Sequence, residues 1–131
     1  MLPTLQPAWQ LYHLRRYPMA LTETLKYLAH QPECVHGHIL LAFIHGKEGR
    51  KAEAFAAAHA AMKYSPDWYF PYYVHALVGY WFDDYDAALE SLAEALRLNP
   101  ADADLYSLAR YSRGHRQTPY FARDGGERVA T

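Results

Sequence analysis

The chain has 131 residues, of which 51% are hydrophobic and 21% are charged, and it is therefore too apolar for a disordered chain and long enough for one domain with its own core. Thirteen Lys and Arg against fourteen Asp and Glu give a net charge of −1, which argues against a general nucleic-acid binder because no overall basic field would hold a phosphate backbone. Cys34 is the only cysteine, which excludes disulfide frameworks and cysteine-based metal sites.

The first fourteen residues have no basic leader and no unbroken apolar run, so we expect no signal peptide and a cytoplasmic location. The longest uncharged run, Trp68 to Phe82, has fifteen residues. It is shorter than the ~20 residues that a membrane-spanning helix needs. We therefore expect a buried helix there and no membrane insertion.

Three prolines, Pro32, Pro66 and Pro100, are spaced by 34 residues. Residues at the same distance before each proline are also similar, and we call each such set of equivalent positions a column. Large apolar residues recur eleven and four residues before each proline. Two alanine columns also share this phase: Ala8, Ala42 and Ala76 in one, and Ala20, Ala54 and Ala88 in the other. A period of this length predicts a helical repeat.

The apolar spacing inside each period is helical, and each period is split by a turn-prone break. In chain order, we predict helices over residues 6–15, 18–30, 35–46, 50–64, 68–82, 84–98 and 102–113. Pro18 would lie in the first turn of its helix, where a missing N–H is tolerated. Residues 114–131 have Gly, Pro and charge without apolar periodicity, and we expect a flexible C-terminal tail.

This 34-residue helix–turn–helix unit resembles the tetratricopeptide repeat (TPR) family. The third unit matches best, through Ala76, Tyr85, Ala88, Ala95 and Pro100, whereas the first unit is degenerate. The resemblance covers about residues 4–113. It implies an all-α, right-handed solenoid of helical hairpins over residues 1–113, with units at about 1–34, 35–68 and 69–102 and a capping helix at 102–113.

In this family the first helices of successive units line a concave groove that binds partner peptides. The resemblance implies a mainly aromatic and apolar set here: Trp9, Tyr12, His36, Ile39, Phe43, Lys47, Phe70, Tyr73, Leu77, Tyr80, Trp81 and Tyr111. We expect Phe43, Tyr73, Tyr80 and Trp81 to anchor an apolar or amphipathic segment of another protein, with His13 and Lys47 as polar orienters. The alternative is that these aromatic residues are packed in the core.

Family members that grip acidic chaperone tails use Lys, Asn and Arg at groove columns. Those columns hold only apolar residues here: Leu5, Trp9, Leu40, Phe70 and Val74. A hydrophobic ligand is therefore expected rather than an acidic tail.

The sequence offers no catalytic constellation, since it lacks a nucleophile elbow, a P-loop and a dinucleotide fingerprint. His38 and His45 share a helix face but are roughly 10 Å apart along the axis, too far to bind one metal ion together. We expect no enzyme, metal or cofactor, and partly buried, hydrogen-bonded histidines at positions 38, 45 and 75.

Three alternatives remain open. A small secretion-type or assembly chaperone would shield a hydrophobic segment in the same groove, and a self-associating scaffold would form a homodimer through the helix at 70–82. A metal or haem binder would use the histidines. In addition, the Arg-rich tail either stays solvated, folds back on the acidic stretch between Asp83 and Asp104, or binds an acidic partner.

Overall fold

A computed structural model describes residues 4–117, which form seven α-helices and no strand. The helices are α1 (Gln6–His13), α2 (Tyr17–His30), α3 (Val35–Lys47), α4 (Lys51–Tyr64), α5 (Tyr69–Trp81), α6 (Tyr85–Leu98) and α7 (Ala103–Gln117). Every helix boundary lies within two residues of its prediction except the end of α7, which continues four residues into the predicted tail. The remainder of that tail, 118–131, lies outside the described residues.

The helices pack as three hairpins, α1 with α2, α3 with α4, and α5 with α6, and α7 packs on α6. Successive hairpins stack because α2 contacts α3 and α4 contacts α5. Helix α3 also contacts α5, so the first helices of the second and third hairpins lie side by side. The all-α solenoid expected from the sequence is confirmed.

Small side chains stand where the helices approach one another. All six alanines of the two repeat columns are completely buried: Ala8, Ala42, Ala76, Ala20, Ala54 and Ala88. Short side chains at these positions allow the backbones to come within the 8–10 Å typical of packed helices. The larger apolar residues fill the space around them in three core clusters, one for each hairpin level.

The turn inside each hairpin has the same geometry. Arg15, Gly49 and Asp83 follow one another at intervals of 34 residues and have φ values of 62°, 76° and 60°. The next residue donates its N–H back into the preceding helix, as from Arg16 to Leu11 O and from Arg50 to His45 O, both at 2.9 Å. A left-handed residue and this long return bond end the first helix and reverse the chain.

The turns between hairpins are also held in a repeated way. Each phase-marking proline lies two residues after the last helical residue, at Pro32, Pro66 and Pro100. His38 Nε2 lies 2.8 Å from Pro32 O, and the Tyr72 hydroxyl donates to Pro66 O at 2.9 Å. These two donors are themselves 34 residues apart, so the period includes a side-chain bond across the turn.

The apolar stretch from 68 to 82 becomes α5, which contacts α3, α4 and α6. Val74, Ala76 and Val78 are completely buried in it, which explains why this helix is apolar on more than one side. In the described part of the chain, no helix combines the length and hydropathy required to cross a membrane.

Candidate functional site

The predicted groove residues lie on α1, α3 and α5, with Tyr111 on α7. Eleven of the twelve are half-buried or exposed. Ile39 is the exception, because it is 1% exposed and packs in a core cluster with Ala42 and Val74. Its side chain cannot reach a ligand in the groove, so we correct the prediction and remove Ile39 from the site.

Aromatic rings from the three first helices form a continuous row, named here the aromatic row: Trp9, Tyr12, Phe43 and Trp81. The ring centroids of Trp9 and Phe43 are 6.2 Å apart, those of Tyr12 and Phe43 6.1 Å, and those of Phe43 and Trp81 5.9 Å. Spacings of 4.5–7 Å are those of favourable aromatic pairs. The row therefore fixes the rings relative to one another across all three hairpins.

Trp81 is held against α3 by a glycine. A Cβ placed on Gly46 would lie only 2.6 Å from the Trp81 ring, so this ring occupies space that any other residue at position 46 would take. The ammonium group of Lys47 lies 5.2 Å from the centre of the same ring, within cation–π distance. Lys47 is thereby placed at the edge of the aromatic row.

A second aromatic group lies where α3 and α5 begin. The ring of His36 is 5.5 Å from that of Trp68, Trp68 is 5.4 Å from Phe70, and Phe70 is 5.9 Å from Tyr73. Sequence reasoning missed Trp68 because it immediately precedes α5 and matches no groove column of the family. The sequence feature that could have identified Trp68 is its position at the start of the longest uncharged run.

A pocket of about 310 Å³ opens between α5 and α7. Four predicted residues line it, Tyr73, Leu77, Tyr80 and Tyr111, and three lining residues were missed, Asp104, Ser107 and Leu108. Burial, followed by the charges of Asp104 and Asp102, raises the pKa of Tyr73. Because the ordinary tyrosine pKa is already about 10, the Tyr73 hydroxyl is protonated at neutral pH and is available as a hydrogen-bond donor in this pocket.

A further pocket, of about 350 Å³, lies at the C-terminal ends of α1 and α3. We call it the basic pocket, and it is lined by Tyr12, His13, Arg15, Tyr17 and Lys47. Burial, and then the neighbouring Tyr17, raises the pKa of Tyr12. The predicted polar orienters His13 and Lys47 both line this pocket, whereas its other lining residues Arg15 and Tyr17, at the first hairpin turn, were missed.

A series of polar contacts, buried at His75 and Ser91 and exposed at His59, joins α4, α5 and α6. His75 Nδ1 and Ser91 Oγ are 2.5 Å apart, and His75 Nε2 is 3.3 Å from His59 Nε2. Burial, and then His59, lowers the pKa of His75 to about 4. Although a serine beside a histidine suggests a nucleophile and its base, both side chains are buried and the second ring nitrogen faces a histidine rather than a carboxylate. We therefore assign the contacts among His59, His75 and Ser91 a role in helix packing.

The other histidines at packing columns differ in their partners. His38 is half-buried and bonded to Pro32 O, as expected. His45 is buried, but its Nδ1 has no hydrogen-bond partner in the part of the chain that the structure describes. Among residues 4–117, no three or more His, Cys, Asp and Glu side chains are grouped so that they could hold a metal ion.

Solved structures identify the architecture, although no protein-family model and no curated protein matches the chain. The Sgt2 TPR domain from Aspergillus fumigatus superposes with a TM-score of 0.80 at 16% identity, covering 95% of this chain and 82% of that one. The chain has the tetratricopeptide-repeat fold. The first TPR domain of Spaghetti (RPAP3), bound to the HSP90 peptide SRMEEVD, matches with a TM-score of 0.77 at 13% identity and 83% and 86% coverage.

The TPR2B domain of yeast Sti1, in its complex with pHsp70, gives a TM-score of 0.75 at 20% identity, covering 83% of this chain and 92% of that one. At these identities the likeness shows the fold, since function depends on the side chains placed on it. The three hairpins thus have the arrangement of three TPR units, with α7 packed on the last, as the resemblance implied.

Proposed function

We propose that this TPR domain is a non-catalytic interaction module that binds an apolar or amphipathic segment of another protein. The observation that carries the proposal is the aromatic row, which crosses three hairpins and keeps its rings half-buried rather than fully buried. A continuous row of apolar rings that remain partly accessible to solvent is a candidate interaction surface. The peptides bound to the RPAP3 and Sti1 domains support the use of this fold for peptide recognition.

The anchors we propose are Phe43, Tyr73, Tyr80 and Trp81. Phe43 and Trp81 pack on the core cluster of the second hairpin level, and Tyr73 packs on that of the third. Because the rings of Phe43, Trp81 and Tyr73 are already held by this packing, a ligand would order few side chains on binding, which lowers the entropic cost of association. Aromatic anchors fixed in this way are typical of the residues that dominate binding energy.

We propose an apolar ligand rather than an acidic chaperone tail. Of the five columns that would carry a basic clamp, Leu40 and Val74 are completely buried. Leu5, Trp9 and Phe70 are half-buried and uncharged. None of these positions offers a charge to an acidic peptide, so SRMEEVD serves as a comparison peptide that should bind weakly.

The test is selection from a random peptide display library, followed by affinity measurement of the selected peptides. Wild type should enrich peptides with aromatic or large aliphatic side chains, and Tyr73→Ala/Tyr80→Ala should bind them at least tenfold more weakly while its circular dichroism is unchanged. Tyr64→Ala/Tyr106→Ala is the matched control, since both tyrosines are exposed outside the groove set. Equal binding by the groove variant, or no enrichment by wild type, would overturn the proposal.

A self-associating scaffold is the second candidate function. The helix expected to mediate self-association, at 70–82, forms α5 and contacts α3, α4 and α6. We therefore move the proposed contact to the first hairpin, where Leu14, Met19 and Leu25 are 66%, 52% and 50% exposed. Light scattering over a range of concentrations tests this candidate, and Met19→Glu/Leu25→Glu should abolish any dimer. The chaperone alternative uses the groove itself and differs only in whether the bound segment is later released.

A further inference from the structure

The basic pocket has a charge pattern that the aromatic groove does not explain. Arg15 and Lys47 supply two permanent positive charges, and His13 supplies a third when it is protonated. Neither Asp nor Glu is among its described lining residues. In the described part of the chain, Arg15, Lys47 and His13 take part in no ion pair.

The hydrogen-bonding groups of the pocket are mostly donors. A guanidinium group has five N–H donors and an ammonium group three, and the two tyrosine hydroxyls can each donate one more. The Tyr12 hydroxyl is able to donate at neutral pH, because the ordinary tyrosine pKa is about 10 and burial raises the pKa of Tyr12 further. A pocket rich in donors and positive charge is suited to a group that has several acceptor oxygens and carries negative charge.

Ordinary helix capping accounts for only part of this arrangement. His13 and Lys47 lie in the last turns of α1 and α3, where basic side chains offset the partial negative charge of about half an elementary charge at a helix C-terminus. Arg15 belongs to neither helix and is held in a left-handed conformation with φ 62°. The backbone N–H groups of Leu14, Arg15 and Arg16 already donate hydrogen bonds to carbonyl oxygens at the end of α1. The charge of the Arg15 side chain is therefore not needed to cap this helix.

The pocket is contiguous with the groove. Tyr12 lines the pocket and also belongs to the aromatic row through Phe43. Lys47 lines the pocket while its ammonium group lies over Trp81. A peptide whose apolar side chains lie on the aromatic row would therefore have a neighbouring side chain within reach of the pocket.

We propose that the basic pocket binds a phosphoryl group carried on a side chain of the bound peptide, so that phosphorylation of the partner strengthens its capture. A phosphate monoester carries about −1.5 to −2 charges and three acceptor oxygens at neutral pH, which matches the charges of Arg15 and Lys47 better than a single carboxylate does. The site is separate from the five apolar groove columns described above. The peptide part of this inference rests on the proposed function, whereas the phosphoryl site does not.

The test is an NMR titration of the ¹⁵N-labelled chain with phenyl phosphate, inorganic phosphate or acetate at constant ionic strength. Both phosphates should give saturable shifts confined to His13–Tyr17 and Lys47, with acetate at least tenfold weaker. Arg15→Gln and Lys47→Gln should each weaken phosphate binding at least fivefold, and Lys47→Arg should retain it. Lys63→Gln is the matched control because the Lys63 ammonium group, like that of Lys47, lies over an aromatic ring, here that of Tyr64 at 5.5 Å.

Acetate binding as tight as phosphate, or shifts scattered over many surface Lys and Arg residues, would overturn the phosphoryl site. The spectra of the variants show directly whether they are folded. A groove-selected peptide synthesised with and without phosphoserine provides the second arm. If free phosphate saturates the pocket but the phosphopeptide binds no tighter than its unmodified form, the peptide source is wrong. If no peptide is selected at all, the proposed function fails while the titration still decides the site.

Discussion

Three residues at equivalent positions adopt a left-handed backbone, and only one of them is a glycine. Glycine adopts this conformation freely, whereas other residues do so at a cost of roughly 1–2 kcal/mol. We predict that Arg15→Gly raises the free energy of unfolding by about 0.5–1 kcal/mol, after the greater flexibility of glycine in the unfolded chain is subtracted. Gly49→Ala should lower it by about 1 kcal/mol. Urea denaturation measures both changes.

Asp83 supplies the internal control for this prediction. Its carboxylate accepts a hydrogen bond from the Tyr85 hydroxyl at 2.7 Å, so Asp83→Gly would relieve the backbone but lose that bond. We therefore expect a smaller gain from Asp83→Gly than from Arg15→Gly. A loss of stability in Arg15→Gly would show that the turn is not strained.

The lowered pKa of the buried His75 makes the stability of the folded chain depend on pH. Its pKa is lowered to about 4 in the folded chain, by burial and then by His59, and is about 6.5 in an unfolded chain. Between these values the unfolded state binds more protons, so stability is complete above pH 6.5 and is lost as pH falls toward 4. Burial also lowers the pKa of His45, which adds a loss of the same sign.

Urea denaturation at several pH values between 4 and 7 measures this loss. The contribution of His75 approaches a slope of about 1.4 kcal/mol per pH unit where only the unfolded state is protonated. His75→Gln retains a hydrogen-bonding side chain for Ser91 but does not titrate, so its pH dependence should be shallower than that of wild type. An unchanged slope would mean that His75 does not control acid stability.

At the scale of helices, glycines allow neighbouring helices to pack closely. These glycines differ in whether a backbone or a side chain lies next to them. A Cβ on Gly79 would lie 2.9 Å from the Asp84 carbonyl oxygen and 3.0 Å from the Ala88 nitrogen, both backbone atoms. A Cβ on Gly37 would lie 2.6 Å from Leu28 Cδ2, the end of a flexible side chain. The first obstacle cannot move without shifting α6, whereas the second can rotate away.

We therefore predict that Gly79→Ala lowers the free energy of unfolding by about 1–3 kcal/mol, as overpacking typically does. Gly37→Ala should be nearly neutral, because the gain of up to about 1 kcal/mol in helix propensity offsets the movement of Leu28. Thermal unfolding of the two variants side by side is the measurement. Equal losses would contradict the distinction between backbone and side-chain obstacles.

The helices could be predicted because their period repeats in the sequence. The alanine columns at 20, 54 and 88 are completely buried as predicted, since the same packing constraint acts on each unit. The groove was predicted less well. Ile39 points into the core, because assignment to a groove column does not determine which way a side chain is turned when the neighbouring hairpin covers it.

The basic pocket shows a different limit of sequence reasoning. Arg15 and Tyr17 line the same pocket as Lys47 because the first hairpin turn reverses the chain at Arg15. The pocket between α5 and α7 likewise depends on how α7 is placed, since Asp104, Ser107 and Leu108 come from that helix. Apolar periodicity predicts where helices lie along the chain, but it does not give where the side chains of a turn or of a terminal helix lie in space.

At the scale of the whole molecule, each hairpin contacts mainly its neighbours. One core cluster joins Leu105 and Ala109 of α7 to residues of α5 and α6, whereas another joins Leu40 and Ile44 to α1 and α2. In stacked repeats, stability is approximately a sum of units and nearest-neighbour interfaces. A cavity at one end should therefore loosen that end more than the other.

We predict that Leu105→Ala, at a completely buried position, lowers the free energy of unfolding by about 2–5 kcal/mol and speeds amide hydrogen exchange chiefly in α5, α6 and α7. Leu40→Ala, equally buried, is the reciprocal variant and should act chiefly on α1, α2 and α3. Hydrogen-exchange mass spectrometry resolves the two patterns helix by helix. Uniform acceleration of exchange in both variants would instead mean that the three hairpins unfold as one cooperative unit. In that case, a ligand bound at one end of the groove would stabilise the whole chain.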